Sequence, residues 1–336
     1  MKVAVVGCGL MGLCTARELS LRGHEVTGFD QFEFGHALGS SHGESRIVRQ
    51  AYPDAFYTEI LLEAYPMWHT LQKESERRFL HEVGLLYIGQ GEDPEIADQV
   101  TALTDLGVPF ELKRPGEAAF TFDEGEVGVF TPQAGWVHAP TVLATCRATA
   151  EKHGAQFVQR RIERLDELAS FDRVVVTAGA WVRMFADVPV SVRQATFAYV
   201  QGELDGPVYI ESYNGQVYGF PNEPGKPTFK LGCHDLLREI DPDATRAGAD
   251  PAALEVMRDF VERRLGEADP VFVEAHACLY TRTPEEDFRI GRLDARTVVA
   301  SPCSGHGFKF GPWIGALLAD VCEDKADLGR WPRFSL

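Results

Sequence analysis

Lys2-Val3-Ala4-Val5-Val6-Gly7-Cys8-Gly9-Leu10-Met11-Gly12 is the stretch from which the fold can be read. Lys2 to Val6 is a short apolar strand, and three glycines spaced Gly-x-Gly-x-x-Gly then turn the chain. Leu13 to Leu21 reads as a helix, with Ala16, Leu19 and Leu21 offering an apolar face. Glu25 to Phe29 is a second strand, ended by Asp30. An acid about 20 positions beyond the glycines completes the βαβ pattern of a dinucleotide site. Gly7 permits the tight turn, Gly9 lets backbone approach a pyrophosphate, and Gly12 lets helix and strand pack closely. Asp30 can accept hydrogen bonds from ribose hydroxyls. The pyrophosphate would lie at the helix N-terminus, where unpaired N–H groups and the helix dipole favour anions. The competing reading is a βαβ unit whose glycines serve packing alone.

Beyond this unit, Phe56 to Glu74 reads as a helix interrupted by Pro66, Val83 to Ile88 as a strand and Pro94 to Leu106 as a helix. Gly116 to Gly128 reads as loop and turn. Pro140 to His153 is a helix with proline in a favoured first position, and Gln156 to Arg160 follows as a strand. Arg173 to Thr177 is a buried strand running into Ala178-Gly179-Ala180-Trp181, whose small residues can bring backbone near a bound nucleotide. From Val190 to Tyr280 the pattern changes. Strands (Thr196 to Gly202, Val217 to Phe220, Phe229 to Gly232, Val271 to Tyr280) surround one helix, Pro251 to Leu265. That composition suits an antiparallel layer lying over a cofactor. Thr297 to Ser301 is another buried strand and Pro312 to Cys322 the final helix.

The expected class is therefore α/β. A discontinuous Rossmann-type nucleotide domain would take residues 1–80, 131–188 and 284–336. A mostly antiparallel α+β substrate domain would take 81–130 and 189–283. A nucleotide domain that the chain leaves and re-enters favours FAD over a nicotinamide cofactor, because an extended FAD draws contacts from both chain ends.

Composition narrows the partners. The chain has 336 residues and a net charge of −17, which argues against nucleic acid and against anionic lipid. No run approaches the ~20 apolar residues of a membrane helix. A strand begins at Lys2 with no basic-then-apolar leader, so a cytoplasmic protein is expected. Seven cysteines without a Cys-x-x-Cys pair read as reduced thiols, with no metal site expected.

Two distant segments combine glycines with cations: Gly39-Ser40-Ser41-His42-Gly43-Glu44-Ser45-Arg46-Ile47-Val48-Arg49 and Ser304-Gly305-His306-Gly307-Phe308-Lys309. Both suit an anionic cofactor and a carboxylate substrate. Arg46 and Arg49 are three apart and would share a face if that segment were helical. Taken singly, each residue has a plainer reading. Arg46, Arg49 and Lys309 could be solvated cations, Lys230 a solvent-facing strand residue, and Cys278 a small core residue. His42 and His234 could be satisfied polar groups, and Tyr218 and Tyr280 amphipathic strand residues.

The chain resembles the monomeric sarcosine oxidase family, within the D-amino-acid-oxidase-like FAD enzymes. Seven segments carry the resemblance in order: Val6 to Gly12, Gly39 to Gly43 with Arg46 and Arg49, Val176 to Trp181, Tyr218-Gly219-Phe220-Pro221, Lys230-Leu231-Gly232 with His234, Cys278-Leu279-Tyr280-Thr281, and Ser304 to Phe310. It implies FAD joined by a thioether to Cys278. It implies Arg49 and Lys309 as the carboxylate pair, Lys230 as the cation that promotes reaction with O₂, and Tyr218 and Tyr280 flanking the substrate amine. Arg46, His42, His234 and His306 would surround the flavin ring. The cofactor site would comprise Gly7, Gly9, Gly12, Asp30, Ser40, Ser41, Ala178, Gly179, Gly305, Gly307 and Phe308 besides. The implied activity is oxidation of a small or secondary amino acid by a monomer, with O₂ as acceptor. The chain is shorter than usual for the family, and Tyr209 with the stretch Glu211 to Asn214 has no clear counterpart, which leaves the amine open. An NAD(P)-dependent dehydrogenase, a flavin-dependent dehydrogenase and a non-catalytic flavoprotein module are the other classes. Retention of Arg49, Lys230, Cys278 and Lys309 together argues against the module.

Overall fold

The computed structural model describes residues 1–117, 120–213, 215–244 and 248–336. Asn214 therefore lies outside the described residues. The longer helices are α1 (Leu10–Leu21), α2 (Ala55–Glu74), α3 (Pro94–Asp105), α4 (Ala139–Lys152), α5 (Pro251–Leu265) and α6 (Gly311–Cys322).

Lys2–Val6 is an inner strand of a six-stranded sheet. The order is Arg289–Arg292, Thr297–Ser301, Arg173–Val176, Lys2–Val6, Glu25–Asp30, Gln156–Gln159. All neighbours are parallel except Arg289–Arg292 with Thr297–Ser301. Val3 to Val6 are all buried, as expected of a parallel sheet covered on both faces. Helix α1 leaves the glycine turn and crosses α6 at close range. Gly311 and Gly315, one turn apart on α6, face Leu10 and Cys14. A Cβ on Gly315 would lie 2.7 Å from the Cys14 carbonyl carbon. Residues from the two ends of the chain are thus brought together at the N-terminus of α1. Helix α2 starts at Asp54, whose carboxylate caps the Phe56 N–H at 2.9 Å, and runs through an exposed Pro66. Its buried Trp68 donates from Nε1 to the Lys309 carbonyl at 2.9 Å, tying α2 to the C-terminal glycine segment.

An eight-stranded sheet forms the second layer. The order is Phe272–Arg282, Ser191–Gln201, Thr228–Glu239, Val217–Phe220, Val208–Glu211, Leu85–Gln90, Glu126–Thr131, Glu111–Lys113. Only Val208–Glu211 with Leu85–Gln90 is parallel. Helix α5 packs on it through Met257, Phe260 and Val261. Arg264, in the last turn of α5, is buried against Glu126 and Glu211. This is the α/β architecture with a mostly antiparallel layer that the sequence predicts.

Several local expectations are corrected. Ser45–Arg49 is a strand paired with Ala134–His138 in a small three-stranded sheet, so Arg46 and Arg49 project to opposite faces. The β-branched Ile47 and Val48 favour that strand. Val208–Glu211 is a strand not foreseen, and Glu126–Thr131 begins inside the segment read as loop.

Candidate active site

A cavity of about 500 Å³ runs from the glycine turn after Lys2–Val6 to the antiparallel sheet. At the first end, Gly7 has φ +91°, and a Cβ there would come within 2.5 Å of the Thr177 carbonyl oxygen. Gly9 precedes α1, and Gly12 sits where a Cβ would meet the Gly7 carbonyl at 2.0 Å. Gly12 therefore packs behind the turn and does not line the cavity. Asp30 accepts from the Cys8 N–H at 2.8 Å and the Phe32 N–H at 3.0 Å. Burial alone would raise its pKa, but His36 and those N–H groups outweigh it and hold the carboxyl below its usual range. Ser41 Oγ accepts from the Leu10 N–H at 3.0 Å, capping one of the open donors of α1. Ser40, Ala178 and Gly179 line the same region.

Arg46 closes the loop that carries the serines. Its guanidinium donates to the carbonyls of Ser45 (2.9 Å), Ser40 (3.1 Å) and His42, and lies 5.6 Å from the Phe308 ring centroid. His42 is half-buried near Phe197 and is not among the lining residues.

Three further cations enter the cavity almost fully buried. Lys230 Nζ donates to the Ser45 carbonyl at 2.9 Å between the rings of Phe197 and Phe220. Burial, reinforced by Arg46, lowers its pKa well below the ordinary lysine range. The solvent-facing reading of Lys230 is thus overturned. Lys309 Nζ donates to the Tyr52 hydroxyl at 2.9 Å and the His306 carbonyl at 2.6 Å. Its pKa is also driven well down, by burial and then Arg49. Arg49 packs on Tyr52 at 4.2 Å. It is 8% exposed, yet Nε and Nη1 have no hydrogen-bond partner.

Alternation along the antiparallel strands sets the remaining groups. Cys278 and Tyr280 are two apart on Phe272–Arg282 and share a face. Tyr218 opposes Gly232 across the ladder, and a Cβ on Gly232 would fall 2.2 Å from Tyr218 Cζ. The missing side chain lets the Tyr218 ring lie over the sheet, with its hydroxyl 3.4 Å from that of Tyr280. Burial pushes the Tyr218 pKa up to about 12. His234 is drawn down to about 4 by burial and by Arg282, Lys309 and Arg49, so its imidazole is neutral at ordinary pH. Gly305, at φ +79°, passes between Tyr280 and His234, where a Cβ would lie 2.6 and 2.7 Å from their rings. His306 contacts the Tyr52 hydroxyl and the Glu286 carbonyl, each at 2.9 Å. Gly307 and Phe308 follow, with Phe308 parallel to Trp68.

The N-terminus of α1, an acid beyond it and buried cations thus line one cavity. The profile of the family described as FAD dependent oxidoreductase (DAO) matches residues 2–321. The chain belongs to this family. It is 27% identical to monomeric sarcosine oxidase of Bacillus sp. (strain B-0618), over 95% of this chain and 91% of that protein. It is also 27% identical to N-methyl-L-tryptophan oxidase of Yersinia pestis (strain Pestoides F), over 96% and 94%. Among solved structures it is similar to the open form of NikD, an unusual amino acid oxidase essential for nikkomycin biosynthesis. The TM-score is 0.85 at 23% identity, covering 99% of this chain and 96% of that one. The protein is an FAD-dependent oxidoreductase. The residues present fit FAD: the φ +91° turn at Gly7 leaves space that a Cβ would fill, and the cavity continues from it past Ala178 and Gly305 to Lys230 and Cys278.

Sequence reasoning passed over Tyr52, Tyr87 and Glu95. Tyr52 joins Arg49, Lys309 and His306, and its one local signal is its place three residues beyond Arg49, before Pro53. Tyr87 and Glu95 carry no motif at all. Tyr87 comes within 6.0 Å of the Arg49 guanidinium, and Glu95 lines the same cavity, only because Leu85–Gln90 and α3 are packed beside it.

Proposed function

We propose that this FAD-dependent oxidoreductase oxidises the C–N bond of a secondary (N-methyl or cyclic) or small primary amino acid. The products would be an imine, which hydrolyses, and H₂O₂ from O₂ as two-electron acceptor. Bound flavin supplies an acceptor for the hydride equivalent lost from carbon. The observation that carries the reading is Arg49: a buried guanidinium with unpartnered Nε and Nη1 beside Lys309. A substrate carboxylate satisfies both cations and fixes the direction of the reacting C–H bond. Burial and the cations that together keep His234 neutral also disfavour the ammonium form of a nearby amine, and only the neutral amine can give up the hydride equivalent. Tyr218 and Tyr280 flank that amine. Lys230 would place a cation where O₂ is reduced, and Cys278 would be the residue that holds the flavin covalently. Gly7, Gly9, Asp30, Ser40, Ser41, Ala178, Gly179, Gly305, His306, Gly307 and Phe308 hold the cofactor, with Gly12, Arg46 and His42 supporting the loops. We assign cofactor binding to 1–80, 131–188 and 284–336, and substrate binding to 81–130 and 189–283, in a cytoplasmic monomer. Among the described residues no helix is long and apolar enough to cross a membrane.

A hydrogen-peroxide assay across N-methyl, cyclic and primary amino acids tests the activity. At least one should give peroxide, and its carboxamide should not. Equal turnover of acid and carboxamide would refute the carboxylate anchor. Acid precipitation tests the attachment: wild-type flavin should stay with the protein, and Cys278→Ala flavin should be released.

A further inference from the structure

The substrate end of the cavity holds an acid for which the carboxylate anchor has no use. Glu95 lies in the first turn of α3, where Asp93 caps the helix by accepting from the Glu95 N–H at 3.0 Å. Its half-buried side chain and Tyr87 both line the cavity, and Tyr87 acts to lower the Glu95 pKa. Tyr87 is buried, with the Arg49 guanidinium 6.0 Å from its ring centroid. Among the described residues Glu95 forms no ion pair. Arg49 acts on it only at longer range, while Asp93 and Asp235 add to the negative potential. Burial and these acids raise its pKa above the usual carboxyl value. Independently, Nε and Nη1 of Arg49 are buried without a partner in the wall of the same cavity, where an anionic ligand would satisfy them. A carboxylate bound there would neutralise the nearest cation and leave Glu95 facing the rest of the ligand.

We propose that the substrate is an amino acid carrying a second, cationic nitrogen, a basic amino acid or its N-alkyl derivative, whose charged end is received by Glu95 and Tyr87. This rests on the reading of Arg49 and Lys309 as the carboxylate anchor. Glu95 is then a specificity-determining residue. A fixed carboxylate in a partly dry wall favours a cation over its neutral isostere, because the neutral ligand leaves the acid desolvated without a partner.

The test is a pair of ligands that differ only in that charge, 5-aminopentanoate and pentanoate, titrated into the flavin-loaded enzyme and followed by the flavin spectrum. The aminated acid should bind about tenfold more tightly, and in Glu95→Gln the ratio should fall towards one. Nα-methyl-lysine should likewise reduce the flavin more efficiently than Nα-methyl-norleucine. Equal binding of the two acids to wild type overturns the inference and leaves the anchor standing. Binding of neither overturns the anchor and the inference with it. Equal tightening of both by Glu95→Gln shows that Glu95 acts only as a counter-ion to Arg49, and also overturns it. Should Glu95→Gln fail to fold, the wild-type comparison still decides.

Discussion

Arg264 and Arg49 are both buried arginines, and they are buried in opposite ways. Arg264 is 1% exposed. Its Nη1 donates to Glu126 and to the Thr121 carbonyl, and its Nη2 to Glu126, Glu211 and the Tyr213 hydroxyl. Arg49 has aromatic rings around it and two nitrogens with no acceptor. A buried charge is tolerated when it is paired and hydrogen-bonded. Arg264 has both Nη atoms paired by its own chain, with only Nε unpartnered, and clamps α5 to the sheet. Arg49 is left for something that arrives. Burial alone does not distinguish structural from functional charge; the count of satisfied donors does. The net charge of −17 sharpens the contrast, because Arg46, Arg49, Lys230 and Lys309 all line one cavity of an acidic protein.

The largest expected effect is on Arg264. Arg264→Met leaves Glu126 and Glu211 buried without their cation, and should destabilise the fold by about 3–5 kcal/mol in urea unfolding. Arg49→Met should show no such loss, and its Tm should match or exceed that of wild type, since it removes an unsatisfied charge. It should instead weaken carboxylate ligands by about 2–5 kcal/mol. A stability loss as large as that of Arg264→Met would erase the distinction between the two arginines. Lys230 lies between these extremes, with one carbonyl partner and two aromatic faces. Lys230→Met should leave anaerobic flavin reduction nearly intact and slow reoxidation by O₂ by about 10²–10³-fold. Stopped-flow measurement of each half-reaction separates the two, and an unchanged reoxidation rate would return Lys230 to a packing role.

The smallest effect is a pH dependence. Lys309 has a pKa well below the usual lysine range, and a bound carboxylate favours its charged form and so raises that pKa. Affinity should therefore be constant below the free-enzyme pKa and fall as pH rises through it, by at most about tenfold per pH unit. Binding in that window should take up a proton, measurable by titration in buffers of different ionisation enthalpy. Affinity that rises with pH would show that Lys309 does not carry the carboxylate.

The helices were legible from local pattern. Pro251–Leu265 matches its reading at both ends, since a capping acid, Pro at the start and Gly266 at the end are all neighbours in sequence. Ser45–Arg49 was not legible. Five residues give little periodicity, and their partner Ala134–His138 lies about 90 positions away. Gly232 was quoted within a motif, but its use as the floor under Tyr218 depends on cross-strand register, which local sequence does not supply. Tyr52, Tyr87 and Glu95 escaped notice because an isolated tyrosine or glutamate carries no spacing signal.

By itself, the sequence determined the nucleotide-binding βαβ unit, the family and which motif segments carry the cations. Those features are local: glycine spacing permits a turn that a Cβ would block, and apolar alternation buries a strand. Only the tertiary structure decided which cations are satisfied. Arg264 and Arg49 look alike in the chain, and the difference is whether packing brings Glu126 and Glu211, or only rings and open space, to the guanidinium. It also placed Glu95 in the wall of the cavity that Arg49 lines, because α3 owes its position to the sheet beneath it and not to any residue within it.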